Sequence, residues 1–304
     1  MFAVINLVIA IIFMTCLALT FRLAASKGAN SLGMNAAFRV TGGIVMLGVA
    51  LGTLRHRNFG ELWAQSGNLG LVAAFFFWLA GMSGIKAVQL GHLGITWTVV
   101  RCSMIIPTLA SLLVWREVPL SPVSGLLVMR VAGVAVITGA VICLGIERAR
   151  TEHGPLVHPG TKPSRLAWGL WLTSAFLAQG GWEITLRATR SLPDDQSRLF
   201  YFTVVCVTAG LLTLPLMFAY KARFGRLEIR YGVMAGVCSI VASGIRPFVL
   251  RDLDGIIVFP ITTVSVTLLV LLAGAVFWHE RLGKWGAAGI VAAVLGMLLL
   301  TLSP

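Results

Sequence analysis

The sequence predicts an all-α membrane protein with ten transmembrane helices, arranged as two inverted five-helix repeats. Three observations predict this fold class. Hydrophobic residues make up 58% of the 304-residue chain and charged residues only 12%, whereas soluble domains carry about 25% charged residues. The apolar residues fall into ten separate runs. The order of features in the first five runs returns in the last five.

Each apolar run is long enough to cross a bilayer as a helix, which takes about 20 residues. None alternates over about ten residues as a membrane barrel strand does, and a helix satisfies its own backbone hydrogen bonds in hydrocarbon. The first run lacks a basic start and is longer than a signal-peptide core, so we interpret it as a retained helix. The predicted spans, numbered 1 to 10, are residues 2–21, 35–54, 69–88, 93–114, 124–145, 167–187, 199–220, 231–250, 256–278 and 284–303.

Two of the joins between spans share one pattern, a Trp-x-Glu at the end of an apolar run. Glu117 ends span 4 and Glu280 ends span 9, 163 residues later, and Gly133 and Gly296 have the same separation. A repeat of five spans is odd, so the second copy enters the membrane from the opposite side. Inverted repeats of this kind are typical of secondary transporters. We expect each glutamate to accept from backbone donors at the start of the next helix.

The polar segment between the repeats predicts the domain organisation. Residues 146–166 contain Pro, Gly and charged residues without an apolar run, so we interpret them as a linker loop. The first five-helix repeat then covers residues 1–145 and the second covers residues 167–304. The expected assembly is a monomer or a homodimer.

The net charge of +13 would suggest nucleic-acid binding in a soluble protein. Here most Lys and Arg lie in short loops beside spans, so membrane lipids are the expected partners and nucleic acid is not. Loops after odd-numbered spans hold fourteen Lys and Arg, and the other loops hold eight. The positive-inside rule then places both termini outside. The expected location is the plasma membrane, or the inner membrane of a prokaryote, crossed several times.

The motif content argues against an enzyme. The five cysteines lie inside spans without a CxxC pair, and the five histidines are scattered near span ends or in loops. No HExxH, GxSxG, phosphate loop or dinucleotide-binding pattern occurs. We therefore expect no catalytic residues, no metal and no cofactor.

Polar and aromatic side chains inside the spans are the candidate binding residues. Arg101 lies near the middle of span 4, where an ionised side chain costs roughly 2.5–3.5 kcal/mol and should face protein or water. Together with Trp97 and Thr108 it follows helical spacing. We interpret this stripe as a cavity wall that binds an anionic group, with an arginine paired between helices as the alternative. The other substrate-binding candidates are Trp78, Gln179, Trp182, Thr263 and Ser265.

Glu183 is the only acidic residue inside a predicted span. A proton-coupled carrier needs a membrane acid that loads and releases a proton, so Glu183 is the proton-coupling candidate. The alternative is an ion pair with Arg187, four residues later on the same helix.

Four basic residues lie closer to the predicted span ends. Long basic side chains in such positions can extend to lipid headgroups, so we expect an interfacial role for each. They are Arg39, Lys86, Arg130 and Arg246.

The repeated order of sequence features resembles that of the drug/metabolite transporter superfamily, in its EamA-like form with ten spans. The resemblance rests on a span with an internal proline, a terminal glutamate, a short turn and a span with glycine. These are Pro107, Glu117 and Gly133 in the first half, and Glu280, Gly289 and Gly296 in the second. The segment AAFRV at Ala36 is also similar to the family's second span. As a departure, Val270 stands where the first half has Pro107, and Pro260 comes earlier.

The repeat and the resemblance together imply a carrier or exporter that moves a small organic solute by alternating access, with a proton as the candidate coupling ion. Positive charge inside the spans favours an anionic or zwitterionic solute. The resemblance places both termini in the cytoplasm, against the charge bias, so the orientation stays open. Two alternatives remain. One is a translocase for a lipid-linked substrate with a similar fold, and the other is a membrane sensor or scaffold.

Overall fold

The computed structural model describes residues 2–55, 57–90, 93–117, 125–151, 165–219, 225–277 and 283–301. Over these residues the chain is helical and contains no strand. The helices are α1 (Phe2–Ser26), α2 (Ser31–Thr53), α3 (Phe59–Leu62), α4 (Asn68–Leu90), α5 (Leu93–Cys102), α6 (Ile105–Leu113), α7 (Gly125–Thr151), α8 (Arg165–Ala188), α9 (Asp195–Ala219), α10 (Arg226–Asp252), α11 (Gly255–Phe277) and α12 (Lys284–Thr301). A π-helical turn, Trp63–Gly67, joins α3 to α4.

In the described part of the chain, 8 helices are long and apolar enough to cross a membrane. They correspond to predicted spans 1–5 and 7–9, so the protein is an all-α, multi-pass membrane protein. Span 6 is the 24-residue helix α8, which contains Gln179 and Glu183. Span 10 is a shorter apolar helix, Lys284–Leu300. The total of ten membrane crossings therefore stays a prediction.

The chain forms two compact units. Unit 1 contains residues 1–81 and 185–252, and unit 2 contains residues 82–184 and 253–304. Each unit therefore takes helices from both halves of the sequence. The proposed repeats, which concern the order of features along the chain, stay a prediction. Most of the linker 146–166 lies outside the described residues.

In unit 1, α1 and α2 pack against α9 and α10. Close approach depends on glycine: a Cβ on Gly232 would lie 3.0 Å from the Met34 carbonyl oxygen, and one on Gly236 would lie 3.0 Å from that of Phe38. One apolar cluster of α1, α2 and α10 consists of Ala24, Met34, Phe38, Tyr231 and Ala235. Small residues thus let α2 and α10 bury their apolar faces at short range.

In unit 2, α7 packs along α12, and α6 packs against α11. Their shared apolar cluster consists of Met104, Ile137, Ala140, Val141, Val264, Ala293 and Leu300. Met104 lies in predicted span 4, so this part of the span faces the apolar core of the unit.

Positions separated by 163 residues face each other in both units. In unit 1, a Cβ on Gly43 would lie 3.3 Å from the carbonyl oxygen of Cys206. In unit 2, Cβ atoms on Gly133 and Gly296 would each lie 3.1–3.3 Å from the other residue's carbonyl oxygen. Such self-facing positions are expected where two equivalent helices meet on a local two-fold axis.

The contacts beside these positions give the direction of the helices. Gly133 faces Leu300, while Gly296 faces Ile137. The residue number on α12 therefore falls as the number on α7 rises, so the two helices run antiparallel. The pair α2 and α9 follows the same order, because Gly210 lies against Arg39 and Gly43 lies against Cys206.

A glycine and an asparagine form the turn between α1 and α2. Gly28 has a φ of +76°, and the N–H of Ala29 donates to the carbonyl oxygen of Ala24 at 3.0 Å. This is the glycine-dependent pattern that commonly ends a helix. The Asn30 side chain then accepts from Gly33 N at 2.9 Å and starts α2. The sharp reversal is therefore encoded locally.

Glu117 caps a helix from the second half of the sequence. Its Oε2 atom accepts from Ile256 N at 3.0 Å, in the first turn of α11. The expected bond to the start of the next helix in the sequence concerns residues outside the described ones and stays a prediction. Glu280, its partner in the sequence pattern, lies outside the described residues.

Charged residues cluster at the ends of helices in unit 1. Asp194 accepts from Ser197 N and Oγ, both at 2.7 Å, which caps α9. These bonds, with Arg57 beside it, lower the pKa of Asp194 below its usual value. Asp195 pairs with Arg198 at 2.8 Å and with Arg251 at 3.2 Å. Exposed pairs of this kind add little stability, but they fix the ends of neighbouring helices.

Candidate functional site

Regular α-helical bonding is interrupted inside span 4 at Ser103 and Met104, a point that we call the break, although Thr96–Leu113 still forms one candidate span. α5 ends at Cys102, and α6 starts at Ile105. Pro107 has no N–H, so the Ser103 carbonyl oxygen accepts from Ile106 N at 3.0 Å instead. The N–H of Ser103 itself bonds back three residues, at 3.2 Å. The proline thus replaces regular helical bonds with shorter-range ones at this point.

Thr108 repairs part of this break. Its hydroxyl donates to the Met104 carbonyl oxygen at 2.7 Å, and the residue is buried. Arg101 lies on the other side of the break in the last turn of α5 and is partly buried. Trp97, one turn earlier, is 40% exposed. The predicted stripe therefore changes along its length, from an exposed tryptophan to a buried hydroxyl bound to backbone.

A buried carboxylate lies on α8, next to this break. Glu183 is only 7% exposed, and its Oε1 accepts from Gln179 Nε2 at 3.1 Å. Gly180, between them, lies against Ile106 in the first turn of α6, where an added Cβ would come within 2.8 Å of the Ile106 Cβ. The fold therefore places Gln179 and Glu183 around the point where α8 meets the break.

A pair of serines holds α8 against α4 in the same unit. Ser83 and Ser174 approach to 2.9 Å between their hydroxyl oxygens, and Ser83 is fully buried. A polar bond between apolar helices fixes their register, because neither hydroxyl finds another partner in hydrocarbon. The α8 surface that bears Glu183 is thus positioned by two contacts, one with α4 and one with α6.

The remaining predicted binding residues have varied surroundings. Trp182 is buried to 2% exposure, while Thr263 is partly buried. The Ser265 hydroxyl donates to Met297 Sδ at 3.7 Å, which places it between α11 and α12. Trp78 is partly buried in unit 1, while the other seven substrate-binding candidates lie in unit 2. Their role in binding stays a prediction.

Protein groups enclose two arginines that were expected to extend to lipid headgroups. Arg130 Nη1 lies 3.6 Å from Asp254 Oδ2, with 11% of its side chain exposed. Arg246 in α10 is only 2% exposed. The expectation fails because protein groups enclose both side chains, and the Asp254 carboxylate reaches Arg130 only through the fold. Lys86 is partly buried, and its expected interfacial role stays a prediction.

Arg39 is a third basic residue for which the interfacial expectation is wrong. It is 4% exposed in α2, and its Nη2 donates to the Phe77 carbonyl oxygen at 3.0 Å. The guanidinium carbon lies 4.4 Å from the centre of the Phe77 ring and 5.7 Å from that of Phe38. A sequence signal existed, since Arg39 lies more than two turns inside α2, which starts at Ser31.

The contact between α6 and α8 has polar side chains beside it. They are Gln179 and Glu183 on α8 and Thr108 on α6. Within the described residues, no group of three or more His, Cys, Asp or Glu is placed to hold a metal ion.

Comparison with known proteins gives the fold but no family. No protein-family model matches the sequence, and no curated protein matches it. Among solved structures, 27 chains match. One is the crystal structure of a protein that aligns with a TM-score of 0.73 and 16% sequence identity. The alignment covers 99% of this chain and 97% of that protein's chain. At this identity the likeness establishes a shared fold over nearly the whole chain.

Proposed function

We propose that this protein is a secondary transporter that moves a small organic solute across a membrane by alternating access. The observation that carries the proposal is a broken membrane helix beside a buried carboxylate. α8 contacts α6 at Gly180, immediately after the break, and Glu183 lies one turn further along. In secondary transporters, discontinuous helices often supply substrate and ion ligands, and ionisable residues in spans often relay protons.

The antiparallel pairing of equivalent helices supports the inverted repeats in this proposal. Positions 163 residues apart face each other at Gly43 and Cys206, and at Gly133 and Gly296. Duplicated units inserted in opposite directions would produce such pairs. Together with the duplicated sequence pattern, this is our reason to propose an EamA-like protein of ten spans, in the plasma membrane, that works without cofactor or enzymatic activity.

The proposed substrate site is centred on the break. Arg101 precedes it in α5, while Gln179 and Trp182 lie on the part of α8 that contacts α6. A fixed positive charge and an amide suit a solute with a carboxylate, so we propose an anionic or zwitterionic substrate. Glu183 is the proposed proton carrier.

The test begins with a search for the solute. Purified protein is screened by thermal shift against amino acids, nucleobases, sugars and cationic drugs. A ligand at 100 times its dissociation constant adds about 2.7 kcal/mol of apparent stability. A compound that stabilises the protein is then tested for uptake into proteoliposomes, with and without an imposed pH gradient.

Glu183→Gln is the variant that decides the mechanism. It keeps the shape of the side chain but cannot release a proton, so the pH gradient should no longer drive uptake, while binding in the thermal-shift assay persists. The matched control is Glu61→Gln, because Glu61 also accepts from a glutamine four residues away, at 3.3 Å, but is exposed. Proton-driven uptake by Glu183→Gln would exclude Glu183 as the carrier, and a failure of every bound compound to cross the membrane would contradict transport.

A further inference from the structure

A small cavity inside unit 1 adjoins Arg39. Its volume is about 10 Å³, enough for roughly one water-sized particle. The wall is formed by α2, α4, α9 and α10, through Phe38, Arg39, Gly42, Phe77, Phe202, Cys206, Ala209, Gly236, Ser239 and Ile240. Most of this lining is apolar, so the guanidinium and the Ser239 hydroxyl are its main polar groups.

The guanidinium of Arg39 lacks hydrogen-bond partners on one side. Its Nη2 donates to Phe77 O, but Nε and Nη1 are buried without a partner among the described residues. Burying a charge without compensation costs several kcal/mol. The Phe77 ring recovers part of this cost through its π face. The N–H groups at Nε and Nη1 of Arg39 still lack an acceptor among the described residues.

The acidic side chains of unit 1 have other positions and partners. Glu228, at the start of α10, accepts from Asn30 N and Gly225 N, both at 2.9 Å. Asp194 and Asp195 bond Ser197 and Arg198 at the start of α9. No ion pair joins Arg39 to a carboxylate in the part of the chain that the structure describes. Within the described residues, the charge of Arg39 is therefore left without a compensating carboxylate.

We propose that this cavity binds a single small anion, of the size of chloride, against Arg39. Two observations select this ligand class. The unfilled donors of Arg39 need an acceptor, and the buried guanidinium favours a negative charge over neutral water. The anion would accept from Nε or Nη1 of Arg39 and from the Ser239 hydroxyl, and would strengthen the packing of α2 against α9 and α10. This site is independent of the proposed transport site in unit 2.

The test measures thermal stability of the purified full-length protein in potassium chloride and in potassium gluconate at equal ionic strength. With chloride at about ten times its dissociation constant, the unfolding midpoint should rise by roughly 3–6 °C relative to gluconate. Arg39→Met should lose this difference.

A second variant keeps Arg39 and fills the cavity. Gly42 lines the cavity, and a Cβ added there meets no atom within 4 Å. Gly42→Leu should therefore be tolerated at its Cβ, while its longer side chain occupies the cavity and removes the chloride effect. The matched control is Gly48→Leu in the same helix, where an added Cβ also meets nothing and the residue is exposed; it should keep the effect.

The outcomes separate clearly. Equal stability of the unmodified protein in both salts would mean that the cavity holds water only, and would overturn the proposal. A chloride effect that persists in Gly42→Leu would place the anion elsewhere and would also overturn it. Loss in Arg39→Met and Gly42→Leu, with retention in Gly48→Leu, supports the site whether or not the protein transports anything.

Discussion

Arg39 and Glu183 are both charged side chains enclosed by helices, and they differ in what surrounds the charge. Glu183 accepts a side-chain hydrogen bond from Gln179, one turn away on the same helix. Arg39 depends on one backbone carbonyl and on aromatic faces. A protonated carboxyl group carries no charge to bury, whereas a guanidinium stays charged. Arg39 therefore keeps its charge inside the fold, where the proposed anion would compensate it.

Arg101 provides the residue-scale prediction for the substrate. Replacing it by leucine should abolish uptake of the stabilising solute, and its thermal shift, while the protein still inserts and folds, because the position is only partly buried. Arg55→Leu, an exposed arginine after α2, controls for loss of positive charge. Unchanged uptake by the Arg101 variant in proteoliposomes would remove this residue from the site.

At the scale of elements, two prolines in corresponding spans have different effects. Pro107 separates α5 from α6, whereas α11 continues through Pro260. In α11, the hydroxyl of Thr262 donates to the Val258 carbonyl oxygen at 2.6 Å. Pro260 is the sixth residue of its helix, so its missing N–H removes the bond to the Ile256 carbonyl oxygen, yet the helix continues. The break at Pro107 therefore has no counterpart at Pro260.

Pro107→Ala tests whether the break itself matters. Alanine restores a donor for the Ser103 carbonyl oxygen, so span 4 should become more regular and the unfolding midpoint should stay equal or rise. If the break forms part of the transport cycle, uptake should fall at least about tenfold, which is a barrier increase of about 1.4 kcal/mol.

The control for this variant is Pro215→Ala. Pro215 lies inside the unbroken helix α9 and is exposed. Its replacement should leave uptake near that of the unmodified protein. Full activity in Pro107→Ala, measured beside this control, would mean that the break is only a consequence of the proline.

At the scale of the whole molecule, two antiparallel helix pairs bear on how the chain crosses the membrane. α7 runs antiparallel to α12 in unit 2, and α2 runs antiparallel to α9 in unit 1. These pairs are the ones that an inverted duplication with an offset of 163 residues would bring together. The duplication predicts more than pairing, because it requires α8 and α12 to cross the membrane as well.

Accessibility labelling of two serines tests this topology. Ser26 ends α1 and Ser191 lies just after α8; both are exposed, and both donate to the backbone three residues earlier, at 2.9 and 2.7 Å. Each is replaced by cysteine in a background without the five native cysteines. With α8 as a sixth crossing, a membrane-impermeant maleimide should label the two positions from opposite sides. Labelling from the same side would mean that α8 does not cross and would contradict inverted repeats.

The sequence by itself determined the helical membrane class, the position of most spans and the offset of 163 residues, because length and hydropathy of apolar runs act locally. It also singled out Glu183, which is buried in unit 2. Only the tertiary structure decided which charges are enclosed. Arg39 and Arg130 depend on helices distant in the sequence, and Glu117 caps α11, whose Ile256 is 139 residues away. Burial and capping are properties of neighbours in space, which hydropathy along one chain does not specify.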